Sequence, residues 1–172
     1  MSSKITAGAP LPELDLPLAG GGVVHLGGQR DGWQMIVVYR GRHCPICKKY
    51  LGALQEKAGD FADAGVDIVT VSGDPEEKAE DAKSEWGLDL PVAYGLTTDQ
   101  MRTLGLYISN PRSPEETDRP FPEPGLFVVR PDGNVQIVEI ANAPFVRPNL
   151  DYLLGGLKFI MEKDYPIRGT HE

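Results

Sequence analysis

The stretch WQMIVVYRGRHCPICKKYLGALQ, residues 33–55, constrains this chain more than any other. It runs a buried strand directly into an amphipathic helix. Met35, Ile36, Val37, Val38 and Tyr39 form a short continuous apolar run. Such a run is the mark of a central strand covered on both faces. Residues 40–43, Arg-Gly-Arg-His, cannot extend it and are expected to turn. Pro45 suits a first helical position, where a missing N–H costs nothing. Ile46, Tyr50, Leu51 and Leu54 then recur at helical spacing. Cys44 is therefore expected at the N-cap and Cys47 one turn in.

That placement carries chemistry. A helix N-terminus offers unsatisfied N–H groups and the positive end of the helix dipole, so it favours a thiolate. Arg40, Arg42, Lys48 and Lys49 add positive charge locally, although the chain's net charge is -8. Such surroundings can lower a cysteine pKa from about 8.5 to roughly 3.5–7.5. A second cysteine three residues on can capture an adduct of the first as a disulfide. Zinc is disfavoured, because a structural site usually needs four ligands. The chain has only 2 cysteines, and His25, His43 and His171 show no ligand spacing. Two inert, packed cysteines are the other plain alternative. Cys-x-x-Cys beside a strand–helix unit favours redox chemistry over both.

The other residues supply a frame for this junction. At 172 residues the chain can bury a substantial core, and it is expected to form one domain over 1–172 with a tail from about 164. Its acidity argues against nucleic acid and anionic membranes as partners. The first fourteen residues lack the apolar core of a secretory signal, so a cytoplasmic location is expected, where thiols stay reduced. Leu14-Asp15-Leu16-Pro17-Leu18 and Val23-Val24-His25-Leu26 read as an N-terminal hairpin, with no role assigned to His25. Val66 to Ser72 reads as a second strand, completing a right-handed parallel crossover. Asp74 and Pro75 are expected as N-cap and first residue of an acidic helix ending near Trp86. Residues 90–94 read as a short strand, and Thr97 with Gln100 as a capping box. Residues 109–123 form a proline-rich acidic loop. The segments 125–130 and 135–140 flank a Pro-Asp-Gly-Asn turn and form a hairpin. Leucines from Leu150 onward mark a last helix, from about 148 to 163.

This order of elements, with Cys-x-x-Cys at the first strand–helix junction, resembles the thioredoxin fold. The opening AGAPLPELDLPLAGGGVVHL and the later GLFVVRPDGNVQIVEI resemble the alkyl hydroperoxide reductase/thiol-specific antioxidant family, its peroxiredoxin-like branch. The resemblance implies an α/β three-layer sandwich with a central mixed sheet and an N-terminal hairpin. It also implies a thiol–disulfide oxidoreductase or thiol peroxidase, with Cys44 and Cys47 as the redox pair. No metal or organic cofactor is implied. The partners implied are a peroxide or disulfide substrate and an external thiol reductant of thioredoxin or glutathione type, and a homodimer is compatible with it.

Two departures divide the reading. Where peroxiredoxins read Pro-x-x-x-Thr-x-x-Cys, this chain has Arg40, Cys44 and Cys47, which puts Cys47 at the peroxidatic position. Where they usually carry an arginine before the late strand, this chain has Pro124. Thioredoxins place a cis-proline there, so the resemblance implies a cis Glu123–Pro124 bond beside the cysteines. Arg42, His43 and Pro124 are thus the candidate substrate-binding residues. On exposure, on the nearness of Arg42 and His43, and on Pro124 in place of the late arginine, Cys44 is expected to be the low-pKa thiol, which favours disulfide exchange over fast peroxide reduction. The alternative function, from another class, is a non-enzymatic redox sensor whose disulfide changes residues 109–123 and a partner surface.

Overall fold

The computed structural model describes residues 3–172. A hairpin of β1 (Leu14–Pro17) and β2 (Val23–Leu26) opens the fold. Next come β3 (Trp33–Val38), α1 (Pro45–Asp63) and β4 (Val66–Val71). They are followed by α2 (Glu76–Glu85), β5 (Val92–Ala93) and α3 (Thr98–Thr103). After β6 (Ile108–Ser109) and β7 (Phe121–Pro122), the hairpin of β8 (Gly125–Val129) and β9 (Val135–Ile140) leads to α4 (Leu150–Lys163).

The central sheet has 5 strands in the order β5-β4-β3-β8-β9. β3 pairs parallel with β4 and antiparallel with β8, so the sheet is mixed and β3 is its middle strand. This is why residues 35–39 are apolar throughout. Met35, Val37 and Tyr39 face Leu51, Leu54 and Phe61 of α1 and Leu150, Leu154 and Leu157 of α4. Ile36 and Val38 face Leu16 and Leu26 of the hairpin and Met101 of α3. Each fully buried leucine or phenylalanine stabilises the sandwich by about 1.5–3 kcal/mol. Gln34, 1% exposed, ties the hairpin to β3: its amide accepts from Gly27 N–H at 2.9 Å and donates to His25 O at 3.0 Å.

The local expectations are met at both hairpins, at the start of α1 and at the Thr97–Gln100 capping box. Three details differ. The cap of α2 is Pro75, not Asp74. Asp74 is buried, and its carboxylate accepts the Arg42 N–H at 2.8 Å, so tertiary contact with the cysteine turn outcompetes the cap. The 109–123 loop is closed at its base, where β6 and β7 pair antiparallel. Residues 8–11 are more than a lead-in: Gly8 donates to Val135 O, Val135 to Ala9 O and Leu11 to Gly133 O, extending the edge at β9.

Candidate active site

Cys44 and Cys47 lie where β3 meets α1, and both are free thiols. Cys44 is the N-cap, with extended backbone, and its Sγ accepts the Cys47 N–H at 3.2 Å. Exposure does not separate the two sulfurs, since Cys44 is 3% exposed and Cys47 0%. What separates them is the charge around them. Arg147, from the segment between β9 and α4, donates from Nη2 to Cys47 Sγ at 3.0 Å.

The electrostatics follow from this arrangement. Cys47 is lowered to about 6, first by the hydrogen bond from the Cys44 thiol, then by the Arg147 charge and the Arg40 N–H, all against the pull of burial. Cys44 moves up, because it donates that hydrogen bond and is shut away from water. These directions favour the thiolate at Cys47 over Cys44, the reverse of what exposure and sequence proximity suggested. A positive helix terminus helps both sulfurs, but a guanidinium in contact helps one.

Arg42 and His43 do not supply that charge. Arg42 turns toward α2, with Nη2 at 2.6 Å from Glu85 and Nη1 at 3.5 Å from Asp81. Its backbone is held by Asp74. The pairing gives two of the α2 carboxylates a partner in the cysteine turn. His43 packs edge-on against Phe121 at 4.7 Å, and desolvation lowers its pKa. Both its ring nitrogens are buried with no hydrogen-bond partner among the described residues.

Arg40, in the sequence one of several local positive charges and a departure from the family pattern, makes the tightest clamp in the region. It forms a bidentate pair with Glu123, both contacts at 2.8 Å, and Glu123 is only 2% exposed. Ser109 donates to the same carboxylate at 2.7 Å, and Arg40 lies over the Phe121 ring at 5.2 Å. The end of β3, the base of the 109–123 loop and the start of β8 are thereby fastened together.

Pro124 is buried beside this clamp, lining a small void with Tyr50, Ala141, Val146 and Arg147. The expected cis bond is absent: no peptide among the described residues is cis. Glu123 is fixed by its side-chain clamp and by its N–H on Tyr107 O at 2.8 Å, and β7 runs on into β8 without the tight turn that cis-proline usually serves. The missing late arginine has a counterpart in Arg147, which comes from a different segment. Its sequence surroundings, APFVRPN, gave no sign of this role. Among the described residues, no group of three His, Cys, Asp or Glu side chains is placed to hold a metal ion.

Comparison with known proteins agrees with the fold. The profile of the AhpC/TSA family matches residues 7–138. A Mycobacterium tuberculosis protein named as a peroxiredoxin is 27% identical over 106 residues, which is 62% of this chain and 68% of that one. A 1-Cys peroxiredoxin of Medicago truncatula is 25% identical, covering 87% of this chain and 70% of that one. Among solved structures, a peroxiredoxin-like protein from Aquifex aeolicus superposes with a TM-score of 0.77 at 19% identity, over 92% of this chain and 89% of that one.

Proposed function

The chain belongs to the AhpC/TSA family of thiol peroxidases, and from that premise we propose that it reduces peroxides with Cys47 as the attacking thiolate and Cys44 as the resolving thiol. Thiol-dependent peroxide reduction is the activity its relatives support. The observation that carries the residue assignment is the Arg147 guanidinium on Cys47 Sγ at 3.0 Å.

The Cys47 thiolate attacks one peroxide oxygen. A sulfur–oxygen bond forms, the O–O bond breaks, and the departing alkoxide or hydroxide takes a proton. Cys44 then condenses with the Cys47 sulfenic acid, releasing water and leaving a Cys44–Cys47 disulfide. An external thiol reductant, one dithiol of thioredoxin type or two thiols of glutathione type, returns two electrons and two protons and is itself oxidised to a disulfide. A cytoplasmic setting would supply such a donor. Arg147 can also hold the developing negative charge on the leaving oxygen.

Stopped-flow mixing of the reduced protein with hydrogen peroxide tests the assignment. The Cys44→Ser variant should be oxidised at a rate close to wild type and stop at a sulfenic acid. The Cys47→Ser variant should be slow. If Cys47→Ser alone reacts fast, the disulfide-exchange order, with Cys44 attacking, replaces this one.

A second reading has one observation in its favour. The 109–123 loop docks on the cysteine turn through His43, Phe121, Arg40 and Glu123, as a redox sensor would require. Absence of turnover with any thiol donor, together with reversible disulfide formation, would favour it.

A further inference from the structure

Tyr50 sits one turn after Cys47 on α1, and it meets the segment that carries Arg147 in two ways. Its hydroxyl donates to Pro148 O at 2.8 Å. Its ring lies against the Arg147 guanidinium, 5.0 Å from ring centre to guanidinium carbon. Arg147 Nη1 also donates to Pro144 O, which folds the segment back on itself. The outer side of this segment gives little support, because Phe145 is 74% exposed and Val146 48% exposed. The guanidinium is therefore held from the inside, by an aromatic face and a tethered backbone.

From this arrangement we infer that Tyr50 is the positioning residue for Arg147, and that it sets the acidity of Cys47 without touching the reacting sulfur. The inference rests on Cys47 being the reactive thiol. The two functions of Tyr50 separate chemically. The ring face attracts the cation through its quadrupole, and a phenylalanine retains that. The hydroxyl fixes Pro148, and with it the stem of Arg147, and phenylalanine loses that. Burial already pushes the Tyr50 phenol up to about 12, so it stays a protonated donor over the working pH range. An arginine left unstacked would be free to leave the sulfur for solvent.

The test is the pH dependence of Cys47 alkylation by iodoacetamide in a Cys44→Ser background, which reads the thiolate whether or not peroxide is the substrate. Tyr50→Phe should move the midpoint by less than about half a unit. Tyr50→Met, which fills the space without a π face, should raise it by about one unit, a tenfold loss of thiolate below the midpoint. With Arg147→Met already present, Tyr50→Met should add no further shift, because the two act as one unit. A Tyr50→Met variant that lowers the melting temperature but leaves the midpoint in place would overturn the proposal, as would full additivity in the double variant. Should Tyr50→Met not fold, Tyr50→Trp keeps a π face and must hold the midpoint low; a midpoint in the ordinary thiol range would be equally fatal. Hydrogen peroxide consumption, measured in parallel, reports separately on the peroxidase reading.

Discussion

A cysteine buried as deeply as Cys47 would ordinarily be inert, since desolvation disfavours its charged form. Two donors and one full positive charge reverse that balance here. Removing Arg147 takes away both its charge and its hydrogen bond, the strongest acidifying influence on Cys47 after the Cys44 thiol. Arg147→Met is expected to return the Cys47 midpoint toward the ordinary thiol value and to slow peroxide oxidation at pH 7 by about tenfold or more. Arg147→Lys should recover part of that, as a point charge without the planar fork. The same shift also acts on folding. The native pKa of Cys47 is depressed to about 6 from an unfolded value near 9.0, so its contribution to stability is fully present above the unfolded pKa. It is lost as pH falls through about 6. Chemical unfolding of reduced wild type and of Cys47→Ser, compared between pH 6 and pH 9, should show the wild type gaining stability with pH and the variant gaining less.

At the scale of elements, the turn between β3 and α1 is fastened to three neighbours: α2 through Arg42, the end of β4 through Asp74, and β8 through Arg40 and Glu123. Gly41 makes the close approach possible. It has φ +140, and a Cβ on it would lie 2.6 Å from Asp74 Oδ1. Gly41→Ala is thus expected to cost about 1–3 kcal/mol in stability, from strain and from displacing the Asp74 carboxylate. Denaturant melts would measure the loss, and slower Cys47 alkylation would show that the turn has moved. The clamp across β3 and β8 makes a matching case. Glu123→Ala leaves the Arg40 guanidinium, which is mostly buried, without its carboxylate. Such a removal costs about 3–5 kcal/mol where the pair is fully buried, and less where water reaches the arginine, as it does here.

Across the whole molecule, what could be read in the chain was what neighbouring residues decide. The run at 35–39, the Pro45 start of α1, the two hairpins and the capping box all depend on residues close in sequence, and all are present. The site's chemistry depends on residues far apart. Arg147 reaches Cys47 across 100 positions, and Arg40 meets Glu123 across 83. No periodicity marks either arginine. Local logic pointed to Arg42 because it is next to the cysteines, yet a backbone that turns at Gly41 aims that side chain at α2. The same limit explains Asp74, whose place before Pro75 looks like a cap although the Arg42 N–H, 32 positions away, claims its carboxylate.

The two sulfurs share a single helical turn, and this has a kinetic consequence. On the proposed assignment, a sulfenic acid on Cys47 would face a race: condensation with Cys44, or attack on a second peroxide molecule that would carry it on to an irreversible sulfinic acid. When the competing thiol comes from a distant segment, the slow conformational change that delivers it gives the second peroxide its opportunity. Here Cys44 Sγ already accepts the Cys47 N–H at 3.2 Å, so under the proposed assignment its local concentration would be that of a well-placed intramolecular group rather than a diffusing one. The partition should lie so far toward the disulfide that the enzyme survives many turnovers under peroxide excess. Repeated cycling followed by intact-mass measurement should find wild type free of a two-oxygen adduct, while Cys44→Ser accumulates it within a few cycles.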